Sequence, residues 1–314
     1  MTETRDHGGG LDAAIARYGG TRAEWLDLST GINPVPYPIP DLPADAWTAL
    51  PDRTAAGSLI AAARKLWNVP GKADVLPTHG ASAAIARIPS FATAGTVAIP
   101  GPTYNEHAAA FRSFGWRVSD TVDQTSDATV VVHPNNPDGR WWNESDLNAP
   151  LTVIDESFCD IAPRRSLIHL AENPGTLVLK SFGKFWGLAG LRLGFVIGDP
   201  DHVARLRDGL GPWSVSGPAL SIGAKALDDT EWAANARDRL NADAARLDSM
   251  MMAKGADLLG GTPLFRLYNV DGAAQWQDHL AKSFVLTRVF PYSRTWLRLG
   301  LPAPDRWSQL EAAL

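Results

Sequence analysis

Cysteine is almost missing from this chain: Cys159 is the single one in 314 residues. One thiol excludes an intramolecular disulfide framework and any cysteine-rich metal site, and no metal centre is expected. Long hydrophobic runs are missing too. Nothing approaches the roughly 18 uninterrupted apolar residues of a membrane span, because Arg87 breaks the best candidate, near residues 80–99. The segment Met1-Thr-Glu-Thr-Arg-Asp-His7 is polar and has no apolar core of a secretory signal. A cytoplasmic protein with no membrane partner is the expectation. Excess positive charge is also absent. Lys and Arg number 29 against 34 Asp and Glu, a formal net charge of −5, which argues against a nucleic-acid surface. Neither a low-complexity tract nor an internal repeat is visible, and the twelve tryptophans are scattered from Trp25 to Trp307.

What is present is ordinary globular composition, 45% hydrophobic and 20% charged, in a chain long enough for about two domains. Short Val-, Ile- and Leu-rich runs at 74–77, 96–99, 128–132, 151–155, 176–179 and 193–197 are bounded by Gly, Pro or Asn, as buried strands are. Helical patterns at 81–91 and 105–114 fall between them. This alternation predicts an α/β layer with a mostly parallel sheet, which binds ligands beyond the carboxyl ends of its strands. After about residue 200 the pattern changes. Helical segments at 217–227 and 230–254 precede strand candidates at 264–270, 284–288 and 295–299, and an amphipathic helix at 305–314. Residues 1–45, with five prolines between Pro34 and Pro43, read as an arm and not as a sheet layer. It would contribute to the small domain and the active site. Residues 46–215 would form the large domain and 216–314 a smaller α+β domain.

The densest chemical signal is Lys180-Ser-Phe-Gly-Lys184-Phe-Trp-Gly-Leu-Ala-Gly-Leu-Arg192-Leu-Gly194, with two lysines, an arginine and four glycines in fifteen residues after an apolar strand. A lysine at a strand end can attach a carbonyl cofactor covalently if its pKa is lowered. An arginine eight residues on can reach a phosphate, and Ser181 offers a hydroxyl beside it. Upstream, the strand 151–155 ends in Asp155. A buried carboxylate there needs a partner, and a protonated pyridine nitrogen would serve. Asn136, in Pro134-Asn-Asn-Pro-Asp-Gly139, follows the strand 128–132 at the same edge. Lys180 precedes the loop, as a solvent-facing residue or a structural partner, and Cys159 reads as a small buried residue.

The set Pro134-Asn-Asn-Pro-Asp-Gly, Asp155-Glu-Ser-Phe158 and Ser181-Phe-Gly-Lys184 through Gly-Leu-Ala-Gly-Leu-Arg192 resembles the class I/II aminotransferases, fold type I enzymes that use pyridoxal 5′-phosphate. The resemblance runs over nearly the whole chain. It implies that Lys184 carries the cofactor, Asp155 holds the pyridinium nitrogen and Asn136 bonds the ring hydroxyl. Ser181 and Arg192 would bind the cofactor phosphate, with the helix start at Gly80-Ala81-Ser82. Tyr104 would stack on the ring, and His107 stands where some members have a ring touching the aspartate. It also implies a homodimer.

The chain ends narrow the resemblance. His7-Gly-Gly, Leu26-Asp-Leu-Ser-Thr-Gly31-Ile-Asn-Pro34 and Trp296-Leu-Arg298-Leu-Gly-Leu-Pro302 are similar to the threonine-phosphate decarboxylase group. The implied reaction is decarboxylation of L-threonine O-3-phosphate to (R)-1-aminopropan-2-yl phosphate, in cobalamin biosynthesis. Arg298 would clamp the substrate carboxylate. Gly31 and Asn136 would line the substrate, and Arg288 with His7 would take its phosphate, with Arg294 a competitor. The alternatives are a histidinol-phosphate-type aminotransferase and a non-catalytic protein of the same fold. Three residues depart from the common aminotransferase pattern. Phe158 replaces a tyrosine, as is familiar in the decarboxylase-like group, Gly183 replaces a second serine, and Leu50 replaces a tyrosine that reaches the partner subunit's cofactor.

Overall fold

The computed structural model describes residues 6–122 and 125–314, so the polar start read above lies, up to Arg5, outside the described residues. The chain divides into two units. The larger comprises Pro36–Asn136 and Trp141–Ala234; the smaller comprises the chain up to Val35, Pro137–Arg140 and Asn235–Leu314. Residues 36–45 and 216–234, expected with the arm and the small domain, group with the larger unit. Tyr37 packs edge-on against Trp186 and Trp232, and the helix Gly217–Asp228 packs along the helix Arg53–Leu66. Pro137–Arg140 groups with the smaller unit because the Asp138 carbonyl accepts from the Gly261 amide at 2.8 Å.

The larger unit is built on a seven-stranded sheet in the order Asp74–Thr78, Gly194–Gly198, Thr176–Ser181, Leu151–Asp155, Ala128–Val132, Thr96–Ala98, Arg117–Ser119. Every residue of Ala128–Val132, Leu151–Asp155 and Gly194–Gly198 is buried. A strand covered on both faces has no solvent side to mark with polar residues, which is why these segments read as unbroken apolar runs. Strand pairings are parallel except those of Gly194–Gly198, which is antiparallel to both neighbours. That reversal has a positional effect. Gly194 lies opposite both Thr78 and Ser181, so the start of the reversed strand shares an edge with the carboxyl ends of the others. One face of the sheet is sealed by Ile85, Ile88, Phe111 and Trp116 over Val97, Val130, Val153 and Leu177, each contributing about 1.5–3 kcal/mol by burial.

Beneath the strand ends lies a buried ionic network. Lys180 is 1% exposed, so of its two expected roles solvent exposure is overturned. Its ammonium sits 2.7 Å from Glu156 and 3.4 Å from Asp160. Glu156 also accepts from Ser166 Oγ and the Leu167 amide, both at 2.6 Å. Asp160 takes the indole N–H groups of Trp67 at 2.9 Å and Trp186 at 3.0 Å. Burial alone would lower the Lys180 pKa, but the two carboxylates outweigh it and hold it above the ordinary lysine value. His133, Glu156 and Cys159 bring ligand-type atoms within 4.8 Å of one another. There, however, Lys180 supplies the cation, while His133 bonds the Arg165 carbonyl and the Trp142 amide.

The smaller unit carries a four-stranded antiparallel sheet in the order Arg288–Phe290, Ser293–Gly300, Phe265–Asn269, Asp257–Thr262. Two expectations are corrected here. The segment 284–288 is not one strand: Val285–Leu286 and Arg288–Phe290 belong to different sheets, with Thr287 between them. Nor is the arm without strand structure, since Leu26–Asp27 pairs in parallel with Val285–Leu286. Trp25, 4% exposed, fixes that pairing through its contacts with Leu11, Ala14 and Ala281. No helix among the described residues is long and apolar enough to cross a membrane.

Lys180→Met should destabilise the protein by about 3–5 kcal/mol in chemical denaturation, because it strands two buried carboxylates without a cation.

Candidate active site

Five connections deliver side chains to the shared sheet edge. Asp155 and Ser181 end their strands, Asn136 and Tyr104 follow theirs by a few residues, and Arg192 precedes the reversed strand. They line one cavity of about 170 Å³ with Ala81, Ser82, Ser157, Phe158 and Lys184. Lys184 is positioned by its neighbours, as Phe182, Phe185 and Trp186 are all fully buried. Phe182 and Trp232 stack on either side of the scaffold that Trp186 provides, at 5.3 Å each. The Lys184 ammonium lies 5.3 Å from the centre of the Phe158 ring, within cation–π range. A wider depression of about 820 Å³ shares Tyr104 but holds none of Lys184, Asp155 and Arg192.

Asp155 is 2% exposed, a position in which a lone carboxylate would take up a proton. Its Oδ2 lies 2.9 Å from His107 Nε2. Its Oδ1 accepts from Ser157 Oγ at 2.5 Å and from the Ser157 amide at 2.9 Å. Burial raises the Asp155 pKa, but His107 and the two Ser157 bonds together outweigh it and hold the carboxyl below its ordinary value. The result is a buried, ionised acceptor facing the cavity. Tyr104 meets the His107 ring edge-on at 6.0 Å. Asn135, beside Asn136, accepts from Thr103 Oγ1 at 2.6 Å and donates to the Pro102 carbonyl at 3.0 Å, tying the Tyr104 loop to the Asn136 loop.

At the other end of the cavity Arg192 donates to Ser82 Oγ at 2.9 Å and to the Ala189 carbonyl at 3.2 Å. Gly80 is required here. Its φ is +87°, and a Cβ on it would lie 2.5 Å from Arg192 Nη2. Ser181 Oγ accepts from the amide of Gly183, the residue that replaces the second serine of the common pattern, at 3.3 Å. Hydroxyls, a guanidinium and the amides opening the helix Ala81–Arg87 make this end suited to phosphate. The opposite end offers a carboxylate, and Lys184 an amine.

The remaining expected residues belong to the smaller unit and cluster there. Arg288 and Arg298 are direct partners across two strands. Arg298 is 4% exposed and donates to the Ser29 carbonyl at 2.6 Å. Burial, followed by the charge of Arg288, pushes its pKa down to about 9, with Tyr292, Asp6 and Asp27 acting the other way. Arg288 donates to the Asp6 carboxylate at 2.8 Å, and His7, next in sequence, is exposed. Gly31 is buried two residues after Ser29, whereas Arg294 is exposed, as is Leu50 in the larger unit.

The family model described as aminotransferase class I and II matches residues 42–313. The chain belongs to the class I and II aminotransferase family. Its fold is the fold type I arrangement of that family. Within it, the chain is 43% identical over 315 residues to a threonine-phosphate decarboxylase of Sinorhizobium sp, covering 95% of this chain and 93% of the relative. A threonine-phosphate decarboxylase of Pseudomonas aeruginosa is 39% identical over 326 residues, covering 98% and 97%. Among solved structures, histidinol-phosphate aminotransferase from Sinorhizobium meliloti in complex with pyridoxal-5′-phosphate superposes with a TM-score of 0.77. It is 18% identical and covers 99% of this chain and 94% of that one. At that identity the likeness concerns the fold.

Sequence reading named Lys184, Asp155, Asn136, Ser181, Arg192 and Tyr104, and the structure brings them together. It missed Ser157, Ser29 and Asp6. The Asp155-Glu-Ser157 spacing was a usable signal, since a serine two residues after an aspartate commonly closes a local side-chain turn. The other two depend on contacts remote in sequence.

A carboxyl whose native pKa is depressed stabilises the fold above its unfolded value of about 4, and that stabilisation is lost as pH falls through the native value. His107→Phe should therefore move acid unfolding to higher pH, and cost about 1–3 kcal/mol at neutral pH, as read from circular dichroism across a pH series.

Proposed function

We propose that this chain is a threonine-phosphate decarboxylase that uses pyridoxal 5′-phosphate, acting on L-threonine O-3-phosphate. The observation that carries this reading is the similarity, over nearly the full length of both chains, to two threonine-phosphate decarboxylases. The cavity's donor set fits the cofactor: an amine, a buried ionised carboxylate and a phosphate-suited end line one space. Lys184 would attach the cofactor, Asp155 would hold its ring nitrogen and Asn136 its ring hydroxyl. Tyr104 would lie against the ring, while Ser82, Ser181, Arg192 and the Gly80–Ala81 amides would take its phosphate. When bound, the cofactor supplies an electron sink for negative charge developing at the substrate's Cα.

The protein's own groups decide which bond at Cα breaks. Arg298 binds the substrate carboxylate in a fork of parallel hydrogen bonds, and Arg288 and His7 bind the phosphate, with Gly31 and Asn136 lining the substrate. By fixing the orientation of that carboxylate, Arg298 would favour its loss as CO₂ over loss of the Cα proton. Lys184 returns a proton to Cα, a transfer in which a positioned side chain contributes about 10²–10⁴-fold. Asp155, kept ionised by His107 and Ser157, would keep the cofactor's ring nitrogen protonated. The product class is a 1-aminopropan-2-yl phosphate, the building block expected in cobalamin biosynthesis. A cytoplasmic homodimer is part of the same reading.

Incubation of the cofactor-loaded protein with L-threonine O-3-phosphate should release CO₂ and aminopropanol phosphate. Lys184→Ala should lose the yellow covalent adduct and at least about 10²-fold in turnover. Turnover that requires 2-oxoglutarate and releases no CO₂ would replace this reading with that of an aminotransferase.

A further inference from the structure

The arm touches the arginine cluster of the smaller unit at two points. At the first, Gly9 donates to Ser29 Oγ at 2.7 Å, and Ser29 Oγ bonds the Asp27 carboxylate at 2.6 Å. The carbonyl of that same Ser29 accepts from Arg298. The fit is close, because a Cβ on Gly8 would lie 2.4 Å from the Ser29 carbonyl oxygen. Gly8 and Gly9 are therefore seated against the backbone. At the second point, Arg288 Nη2 donates to the Asp6 carboxylate at 2.8 Å and to the Asp6 carbonyl at 3.1 Å.

The second contact is of a different kind. The Arg288 side chain is 13% exposed and that of Asp6 43%. Arg288 faces Arg298 across the strands, and their guanidinium carbons lie 5.3 and 6.0 Å from the centre of the Phe290 ring. Two guanidiniums sharing an apolar ring repel each other, and desolvation enlarges that cost. A carboxylate beside them offsets part of it. A phosphate ester carries about −1.5 to −2 charges and three acceptor oxygens, so it meets the same need more fully than one carboxylate.

We propose that Asp6 is a displaceable internal anion: its carboxylate occupies Arg288 until the substrate's phosphate takes its place. Release frees Asp6 and His7 to move about the seated Gly8–Gly9 pair. The proposal rests on the reading of Arg288 as a phosphate-binding group. It makes Asp6 a positioning residue that weakens anion binding in exchange for a stable empty cluster.

Calorimetric titration with inorganic phosphate tests it, using the full chain loaded with pyridoxal 5′-phosphate so that the cofactor's phosphate site is filled. Asp6→Asn should tighten phosphate binding about threefold to tenfold, somewhat more than a fully exposed ion pair would return. On an Arg288→Ala background the same change should have no effect, and affinity for unphosphorylated L-threonine should not respond to Asp6. An unchanged or weakened phosphate affinity in Asp6→Asn, or no phosphate binding in either protein, overturns the proposal. Tightening without turnover of L-threonine O-3-phosphate keeps the displaceable anion and removes the proposed substrate. Turnover with a phosphate affinity indifferent to Asp6 does the reverse.

Discussion

The Lys180 ammonium cannot be held in a protein interior without the carboxylates of Glu156 and Asp160 beside it, and that need ties two strand ends together. Glu156 follows Asp155, and Lys180 precedes Ser181. Successive residues of an extended chain point to opposite sides. The ion pair therefore fastens from below the two positions whose neighbours face the cavity. Trp67 and Trp186 close the network through Asp160, and Trp186 belongs to the loop that carries Lys184. A buried ion pair adds little net stability compared with apolar packing. What it adds here is registry, because displacing either strand end would separate charges in a medium that screens them poorly.

Charge is organised locally in this chain and not globally. The net value of −5 says nothing of the pair Arg288 and Arg298, or of Arg192 beside Ser82. Arg192 and Arg298 are each held by a backbone carbonyl, and Arg192 also by the Ser82 side chain. Such anchoring keeps a guanidinium in one orientation before any ligand arrives, so less conformational freedom remains to be lost on binding.

The sheet was legible because burial on both faces writes itself as continuous apolar runs, and the strands at 128–132 and 151–155 match the structure residue for residue. The lysine-to-arginine motif was legible because its residues are close in sequence. Arg117–Ser119 was not read as a strand: it is three residues long, at an edge, and partly exposed. Asp257–Thr262, with two glycines and a single buried position, left no apolar signature either. The burial of Lys180 depended on Glu156 and Asp160, which lie across a crossover connection from the neighbouring parallel strand. A lysine's own sequence neighbourhood does not record such partners, nor does it record the meeting of Asp6 with Arg288, 282 residues apart.

The single cysteine acquires a use from its location. Cys159 is fully buried, and burial, with Glu156 beside it, pushes its thiol far above its ordinary pKa. Thiolate, the reactive form, is thus suppressed twice, by access and by protonation. Any reaction of this protein with a thiol reagent must pass through an opened state of the region around Glu156, Asp160 and Lys180. The chain therefore carries a built-in chemical clock for local opening beneath its active site, unobscured by a second thiol.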